Sequence, residues 1–276
     1  MSQGNLYYKH SGAIGLMGPA YMLVFGAVAA VILGAIYAYL IYYIPFIYLN
    51  FFFTLGCGGI VGYLVGLGAK LGKTRNPTVV VSIGVIIGLS ASYVGWVVWL
   101  YALTEHQALL LMPNELLQFL SLIAVDGVWS LFGWTPTGIA LYAVWALEAI
   151  MIVGLCATLA WTVVNMPFCE RCNKWIEDEE SIGPLKPIAN PDDLKAQLER
   201  GNYTFFESLK KNADANSSYA KVSIRHCPGC LQAFFLSVKS VVVKLGSDDK
   251  KEEEETTIIE NLIISSDLHR QIKAQA

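Results

Sequence analysis

The stretch Met166-Pro-Phe-Cys-Glu-Arg-Cys-Asn-Lys-Trp175 marks the point at which this 276-residue chain changes character. It follows a long apolar run and holds Cys169 and Cys172 at C-x-x-C spacing. Fifteen of the 19 basic residues and eighteen of the 22 acidic residues lie from Met166 onward. The sequence therefore predicts two domains, an apolar one over residues 1–165 and a polar one over residues 166–276.

The overall composition indicates a membrane protein. Hydrophobic residues make up 55% of the chain and charged residues only 15%, whereas soluble domains carry about 25% charged residues. The formal net charge is −3. Because nucleic-acid binding depends on a basic face that neutralises phosphates, this charge balance argues against a nucleic-acid partner. The apolar composition instead makes membrane lipid an expected partner.

Four apolar runs are long enough to cross a bilayer, which takes about 20 residues of helix. They cover residues 16–43, 45–69, 78–103 and 138–164. The first two are separated by little more than Ile44-Pro45, which predicts a helical hairpin. A further apolar segment, 109–125, is too short to cross, and we interpret it as an interfacial or re-entrant helix.

The loop charges predict the orientation of these spans. Lys70, Lys73 and Arg75 lie between the second and third spans, whereas residues 104–137 contain no lysine or arginine. Since basic loops stay on the cytoplasmic side, the short basic loop is expected to be cytoplasmic. Four spans then place both termini and the polar domain in the cytoplasm, and we expect a multi-pass protein of a bacterial inner membrane.

Two features of the spans are candidate sites. Small residues recur at every fourth position, which allows helices to approach closely and indicates either internal packing, a homo-oligomer face or a pore lining. These residues are Gly58, Gly62, Gly66, Gly84 and Gly88. Glu148 lies inside the fourth span. A carboxylate at such a depth is costly and marks either a proton or cation site or a protonated, hydrogen-bonded glutamate.

The polar domain contains a second C-x-x-C pair, Cys227 and Cys230, fifty-four residues after the first. Four cysteines in two such knuckles are the ligand set of a structural zinc site. The arrangement resembles the zinc-ribbon class. The resemblance implies one structural Zn²⁺ held by Cys169, Cys172, Cys227 and Cys230, in a fold that commonly binds a partner.

The residues around the knuckles predict a small α+β domain. Segments 218–226, 232–245 and 256–264 are rich in β-branched and aromatic residues, which predicts a three-stranded antiparallel sheet. The insertion 190–213 carries helix-start signals, with Asn190 as an N-cap before Pro191. The charged stretch 246–255 is predicted to be a solvated loop.

Several readings of the thiols and the spans stay open. The principal hypothesis is a non-enzymatic membrane protein whose cytoplasmic zinc ribbon binds or scaffolds a protein partner. The first alternative is a small transporter or channel subunit that uses Glu148. The second is a membrane-linked thiol oxidoreductase, and an iron–sulfur centre or another metal is also compatible with four cysteines. His226 could replace a ligand but is not needed, and His10, His106 and His269 show no metal spacing.

Overall fold

The computed structural model of the protein describes residues 6–44, 46–130, 133–208, 218–245 and 251–275. These residues form two compact units. The helical unit comprises Ser11–Asn165, and the mixed unit comprises the described residues from Met166 onward together with residues 6–10. The second boundary falls where the composition changes. The first shows that residues 6–10, which the sequence analysis counted with the spans, pack with the polar domain.

The described residues of the helical unit form five helices. Helices α1 (Gly18–Tyr43), α2 (Ile47–Leu71), α3 (Pro77–Leu103) and α5 (Gly138–Val164) are each long and apolar enough to cross a membrane. They confirm the four predicted apolar helices, with bounds within a few residues of those predicted. The shorter α4 (Pro113–Asp126) occupies the segment interpreted as interfacial or re-entrant. Pro45, with which the second span was predicted to begin, lies outside the described residues.

Glycines set the distance and direction of the helix packing. A Cβ atom built on Gly58 would lie 2.7 Å from the carbonyl oxygen of Ile152, and one on Gly62 would lie 2.5 Å from that of Cys156. Helices α2 and α5 therefore run parallel at backbone-contact distance. Added Cβ atoms on Gly84 and Gly88 would each lie 2.9 Å from the Cα atoms of Ala157 and Val153, respectively. Helix α3 therefore runs antiparallel to α5.

The basic loop between α2 and α3 is hydrogen-bonded to the segment that precedes α1. Arg75 donates its backbone N–H to Ala13 O at 2.7 Å, and Thr74 donates its hydroxyl to Ile14 O at 2.8 Å. The Arg75 side chain is buried and donates to Lys73 O at 2.8 Å. Arg75 therefore satisfies a loop carbonyl as well as adding a positive charge.

Where the structure describes it, the mixed unit has two antiparallel sheets. A small hairpin pairs β1 (Phe168–Cys169) with β2 (Lys174–Trp175). The larger sheet has four strands in chain order, β3 (Glu179–Leu185), β4 (Tyr219–His226), β5 (Phe234–Leu245) and β6 (Lys251–Ile264). The N-terminal segment adds to the outer side of β6, where Tyr7 forms an isolated bridge with Leu262.

The larger sheet corrects the predicted three-stranded sheet. The missed strand is β3, whose sequence Glu-Glu-Ser-Ile-Gly-Pro-Leu has no clear apolar alternation and contains Pro184. Proline is tolerated there because β3 lies at an edge of the four-strand order, where one row of N–H groups needs no partner strand. Its register is supported by a cross-strand pair, since Glu179 lies opposite Arg225 and accepts from its guanidinium at 2.7 Å.

The charged stretch 246–255 is a second correction. Residues 251–255 are the first part of β6 and pair with the end of β5, so the predicted loop is shorter. The charges of residues 252–255 are tolerated because these side chains are exposed. Two of them also pair across the strands, with Lys239 donating to Glu255 at 2.8 Å and Lys244 to Glu254 at 2.5 Å. Residues 246–250 lie outside the described residues.

Short helices cover the sheet and complete its core. In the insertion, α6 (Pro191–Glu199) begins at Asn190, whose side chain accepts from Asp193 N at 3.2 Å, and a 3-10 helix spans Thr204–Ser208. Residues 209–213 of the insertion lie outside the described residues. Helix α7 (Ser266–Gln275) follows β6 directly. Side chains from these helices are buried against the strands: Leu194, Leu198, Phe206, Leu268 and Ile272.

Candidate metal centre

The first cysteine knuckle is the β1–β2 hairpin. Cys169 is the last residue of β1 and lies opposite Lys174, and Cys172 lies in the turn between the strands. Asn173 has a φ of 52°, a left-handed conformation that asparagine tolerates better than most residues. The hairpin is closed below by a hydrogen bond from Ile176 N to Pro167 O at 2.9 Å. Both thiols are thereby fixed to a short, well-connected backbone element.

The second knuckle is the connection between β4 and β5. Cys227 donates its N–H to Ala233 O at 3.1 Å, and Leu231 donates its N–H to Cys227 O at 3.0 Å. A Cβ atom on Gly229 would lie 3.1 Å from Cys172 Sγ. Glycine at position 229 therefore lets the second knuckle approach a thiol of the first.

The fold brings the four predicted ligands together. The Sγ atoms of Cys169, Cys172, Cys227 and Cys230 all lie within 4.8 Å of one another, and all are free thiols. Cys169 Sγ lies 3.7 Å from Cys230 Sγ. A tetrahedral site with Zn–S bonds of about 2.3 Å separates its sulfurs by about 3.8 Å, whereas a disulfide needs about 2.05 Å. The group could therefore hold a metal ion, and its donor set and spacing suit zinc.

The four cysteines, called the tetrad below, are partly enclosed by apolar side chains. Cys169 and Cys227 are buried, with exposures of 4% and 2%, whereas Cys172 and Cys230 are half-buried. Ile176 and Phe235 are buried in the same cluster, with Tyr8 and Ala233 packed against it. One pair of thiols therefore faces the interior and the other lies nearer to solvent, which leaves a path for metal entry.

Burial and neighbouring groups shift the pKa values of three of the four thiols. The pKa of Cys172 is raised to about 12, mainly by its hydrogen bond to Cys227, and burial is the main cause that raises the pKa of Cys169. Burial also acts to raise the pKa of Cys227, but N–H groups of Cys230 and Gly229 and the neighbouring thiols outweigh it and lower that pKa to about 7. Cys227 is thus the thiol most readily ionised among these three, and a thiolate is the form that binds metal.

The N-terminal segment packs against the cysteine cluster, and the sequence analysis did not foresee this contact. Tyr8 donates its N–H to Asn261 O at 2.9 Å, and its hydroxyl accepts from Phe168 N at 3.1 Å. The ring of Tyr8 contacts Phe235 edge-on, with centroids 5.2 Å apart. The β-favouring sequence Leu6-Tyr7-Tyr8 was the available signal, but its partner strand is more than 250 residues away in the chain.

A second cluster of possible metal ligands lies beside the second knuckle. Glu180, His226 and His269 each offer one ligand atom, and these atoms lie within 4.8 Å of one another. The spacing of His269 in the chain had shown no such relation. The carboxylate of Glu180 already accepts from Lys273 at 3.0 Å, the leading cause that lowers its pKa. His226 and His269 both stack on Phe234. Ring packing on Phe234 and the ion pair with Lys273 therefore already engage members of this cluster.

The predicted sites of the helical unit occupy different positions. Gly58, Gly62 and Gly66 of α2, and Gly84 and Gly88 of α3, all contact α5 closely within the described unit. Glu148 instead lines a cavity of about 570 Å³ between the four long apolar helices.

The fold and the site together define a chain with four long apolar helices and a mixed α and β unit that carries a cluster of four cysteines. No protein-family model matches the chain, and neither a curated protein nor a solved structure matches it.

Proposed function

We propose that this chain is a non-enzymatic integral membrane protein that anchors a cytoplasmic zinc-binding domain, which binds or scaffolds a protein partner. The observation that carries the proposal is the convergence of Cys169, Cys172, Cys227 and Cys230 from two knuckles that are far apart in the chain. One Zn²⁺ would join the β1–β2 hairpin to the β4–β5 connection. The basic loop supports a cytoplasmic position by the positive-inside rule, and a bacterial inner membrane is the membrane we favour.

A structural role fits the metal better than a catalytic one. Catalytic zinc sites use three protein ligands and leave a fourth position for water, whereas four cysteines complete the tetrahedron. A dithiol oxidoreductase commonly places its C-x-x-C at the start of a helix, where the dipole lowers the thiol pKa. Here Cys169 belongs to a hairpin and Cys227 follows a strand. The backbone setting therefore supports a metal-held fold over thiol redox chemistry.

The test is the metal content and thiol reactivity of the full-length protein purified in detergent. We expect about one zinc per chain, as in a single site with four cysteine ligands, with the four tetrad thiols protected from alkylation until a chelator is added. Cys172→Ser should lose the zinc. Cys57→Ala is the matched control, since Cys57 is buried in α2 and outside the tetrad. Metal-free protein whose tetrad thiols cycle with a defined potential would instead support the oxidoreductase.

The partner is tested separately. Photo-crosslinkers placed on the exposed β6 residues Glu252 and Glu260 should capture one recurrent protein from cells that make the wild type. Capture should be lost with Cys172→Ser and kept with Cys57→Ala. If capture is kept when zinc is lost, partner binding does not depend on the metal-held fold, which contradicts the proposal.

A second candidate function is a small transporter or channel subunit. The observation in its favour is the cavity between the spanning helices, because Glu148 is one of its lining residues. Intramembrane acids that face a cavity mark ion and proton paths in many transporters. The test is movement of protons or cations into proteoliposomes, which Glu148→Gln should abolish while the exposed Glu115→Gln does not. Liposomes that remain impermeable under every gradient would exclude this candidate.

A further inference from the structure

The cavity of the helical unit has the size and shape of a small-molecule site. Its volume of about 570 Å³ lies within the range of about 300–1,000 Å³ found for ligand pockets. All four long helices contribute to its lining. Phe46, Tyr48 and Leu147 belong to the lining and are each more than half exposed, so the cavity opens to the outside of the unit near the start of α2.

Its walls are rich in tryptophan. Trp96 contacts Trp99 edge-on at 5.6 Å and Trp145 edge-on at 5.0 Å, measured between ring centroids, and all three line the cavity. Trp129 and Tyr37 add further aromatic surface. Tryptophan faces attract cations more strongly than other aromatic rings do. Such walls would accommodate either an apolar body or a positively charged group.

Three polar side chains of the cavity lining offer oxygen atoms that can accept hydrogen bonds, and one of them, Glu148, carries a carboxyl group. Among the described residues, no hydrogen bond or ion pair engages the Glu148 carboxylate. Asn50 Oδ1 and Ser92 Oγ are buried and also lack a hydrogen-bond partner in the described chain. Buried polar atoms are nearly always satisfied, so two orphans in one cavity indicate a missing ligand or water. None of the described lining residues is basic, which disfavours an anionic ligand.

The helix register brings Glu148 and Ser92 to one depth and Asn50 to within one turn of it. Glu148 lies one turn before Ile152, which packs on Gly58, and Thr54 lies one turn before Gly58. The α3–α5 contact between Gly88 and Val153 likewise puts Ser92 at the level of Ala149, next to Glu148. Asn50 is one turn from Thr54, whose own hydroxyl is satisfied by Asn50 O at 2.8 Å. Glu148 and Ser92 therefore lie at one depth, and Asn50 lies about 5.4 Å, one helical turn, from that depth.

We propose that this cavity binds an organic amine in its protonated form, with the ammonium group at Glu148, Asn50 and Ser92 and the apolar body against the tryptophans. A primary or secondary ammonium fits better than a quaternary one, because its N–H groups can satisfy the orphaned oxygens. A phospholipid with an ethanolamine headgroup shares the ammonium, but its phosphate would find no basic residue in the lining. The site uses the same cavity as the transport candidate, yet binding at equilibrium does not require transport.

The first test compares a matched pair of ligands on the unmutated protein in phosphatidylcholine nanodiscs. The probes are 2-(1-naphthyl)ethylammonium and the neutral 2-(1-naphthyl)ethanol, titrated by calorimetry against protein-loaded and empty nanodiscs. The ammonium should bind at least tenfold more tightly than the alcohol. Equal affinities, or no saturable binding of either probe beyond that of empty nanodiscs, would overturn the proposal.

The second test replaces the carboxyl group of Glu148 with an amide. Glu148→Gln should weaken ammonium binding about tenfold or more and leave the alcohol unchanged, whereas Glu115→Gln, the same substitution on exposed α4, should alter neither. Unchanged ammonium affinity in a monodisperse Glu148→Gln protein would refute the assignment. If that variant does not assemble, the ligand pair on the wild type still decides the matter.

The third test separates the two sources of an ammonium group. Adding phosphatidylethanolamine to the nanodiscs should not displace the naphthyl ammonium. Displacement would assign the cavity to a lipid headgroup and overturn the free-amine proposal. Saturable binding in nanodiscs combined with impermeable proteoliposomes would support the binding site while excluding transport, so the two hypotheses fail separately.

Discussion

Cys169 Sγ lies 3.7 Å from Cys230 Sγ, although sixty-one positions separate the two residues in the chain. One thiol belongs to the β1–β2 hairpin and the other to the connection between β4 and β5. The hairpin is only two residues per strand. A strand pair of that length has little stability of its own, so the contact between the knuckles, and a metal held there, should determine whether it stays docked.

Metal removal is therefore expected to release the first knuckle. Chelation of the full-length protein should accelerate amide hydrogen exchange in residues 168–176 and in the 227–233 connection, because structural zinc sites contribute folding energy directly. Amides in α1, α2, α3 and α5 should be unaffected. Hydrogen-exchange mass spectrometry measures both regions at once, and re-addition of zinc should restore protection. Uniform protection with and without chelator would contradict a structural metal.

Substitution of Gly229 should weaken metal binding without removing a ligand. The Cβ of Gly229→Ala would lie 3.1 Å from Cys172 Sγ, so the thiol has to shift by a few tenths of an ångström. We expect a loss of about tenfold in zinc affinity, the lower end of effects seen for residues that orient metal ligands. Competition with a chromophoric chelator measures the affinity. Gly154→Ala, where an added Cβ meets open space, serves as the control and should bind zinc normally.

Close packing of α2 on α5 should depend on Gly62. A Cβ at this position would lie 2.5 Å from the carbonyl oxygen of Cys156 and 2.7 Å from its Cα, and backbone atoms of a packed helix cannot move aside locally. Gly62→Ala should therefore lower the free energy of unfolding by about 1–3 kcal/mol, the usual cost of overpacking. Denaturant titration in mixed micelles gives the value. Gly56→Ala on the same helix, with nothing within 4 Å of its Cβ, should be near neutral.

The Glu179–Arg225 pair predicts a pH dependence for the mixed unit. Burial acts to raise the pKa of Glu179, but hydrogen bonds from Ser223 and Arg225 outweigh it and lower that pKa below its ordinary value. A lowered folded-state pKa means that the stabilisation is present above the unfolded value of about 4.3 and is lost as the pH falls through the folded value. The pair is partly exposed, so its contribution at pH 7 should not exceed about 1 kcal/mol.

The variant Arg225→Gln tests the direction of this pH dependence. The variant should unfold at a lower temperature than the wild type at pH 7, and the difference should shrink as the pH is lowered from about 5 to about 3. Calorimetry of both proteins over this range measures the difference, in which acid effects common to both cancel. Lys186→Gln, which removes an exposed charge at the end of the same strand region, is the control. A difference that grows toward acid pH would contradict the linkage.

The elements predicted well were those whose signal is local. A bilayer-length apolar run identifies a helix by its own composition, and α1, α2, α3 and α5 lie within a few residues of the predicted spans. Asn190 and Pro191 predicted the start of α6, because capping depends on a few adjacent residues. The ligand candidates Cys169 and Cys227 were found for the same reason, since C-x-x-C spacing is a property of each knuckle alone.

The elements missed were those whose signal is not local. Strand β3 forms because it can pair with the free edge of β4. At the outer edge of the sheet, Pro184 and the adjacent residues Glu179 and Glu180 are tolerated. The charged start of β6 pairs with β5, where Lys239 and Lys244 form ion pairs with Glu255 and Glu254. Tyr8 belongs to the metal-centre cluster because β6 and β5 carry Asn261 and Phe235 to it. In each case the element and its partner are too far apart in the sequence for a short stretch of chain to contain both.

By itself the sequence determined that four apolar helices and a cysteine-bearing polar domain exist, because length, hydropathy and C-x-x-C spacing act within short stretches of chain. Only the tertiary structure decided that the two knuckles meet at 3.7 Å and that Glu148 faces a tryptophan-lined cavity. The physical reason is that thiol convergence and cavity formation depend on distances between elements. Those distances follow from helix approach at glycines and from strand register, which no single segment contains.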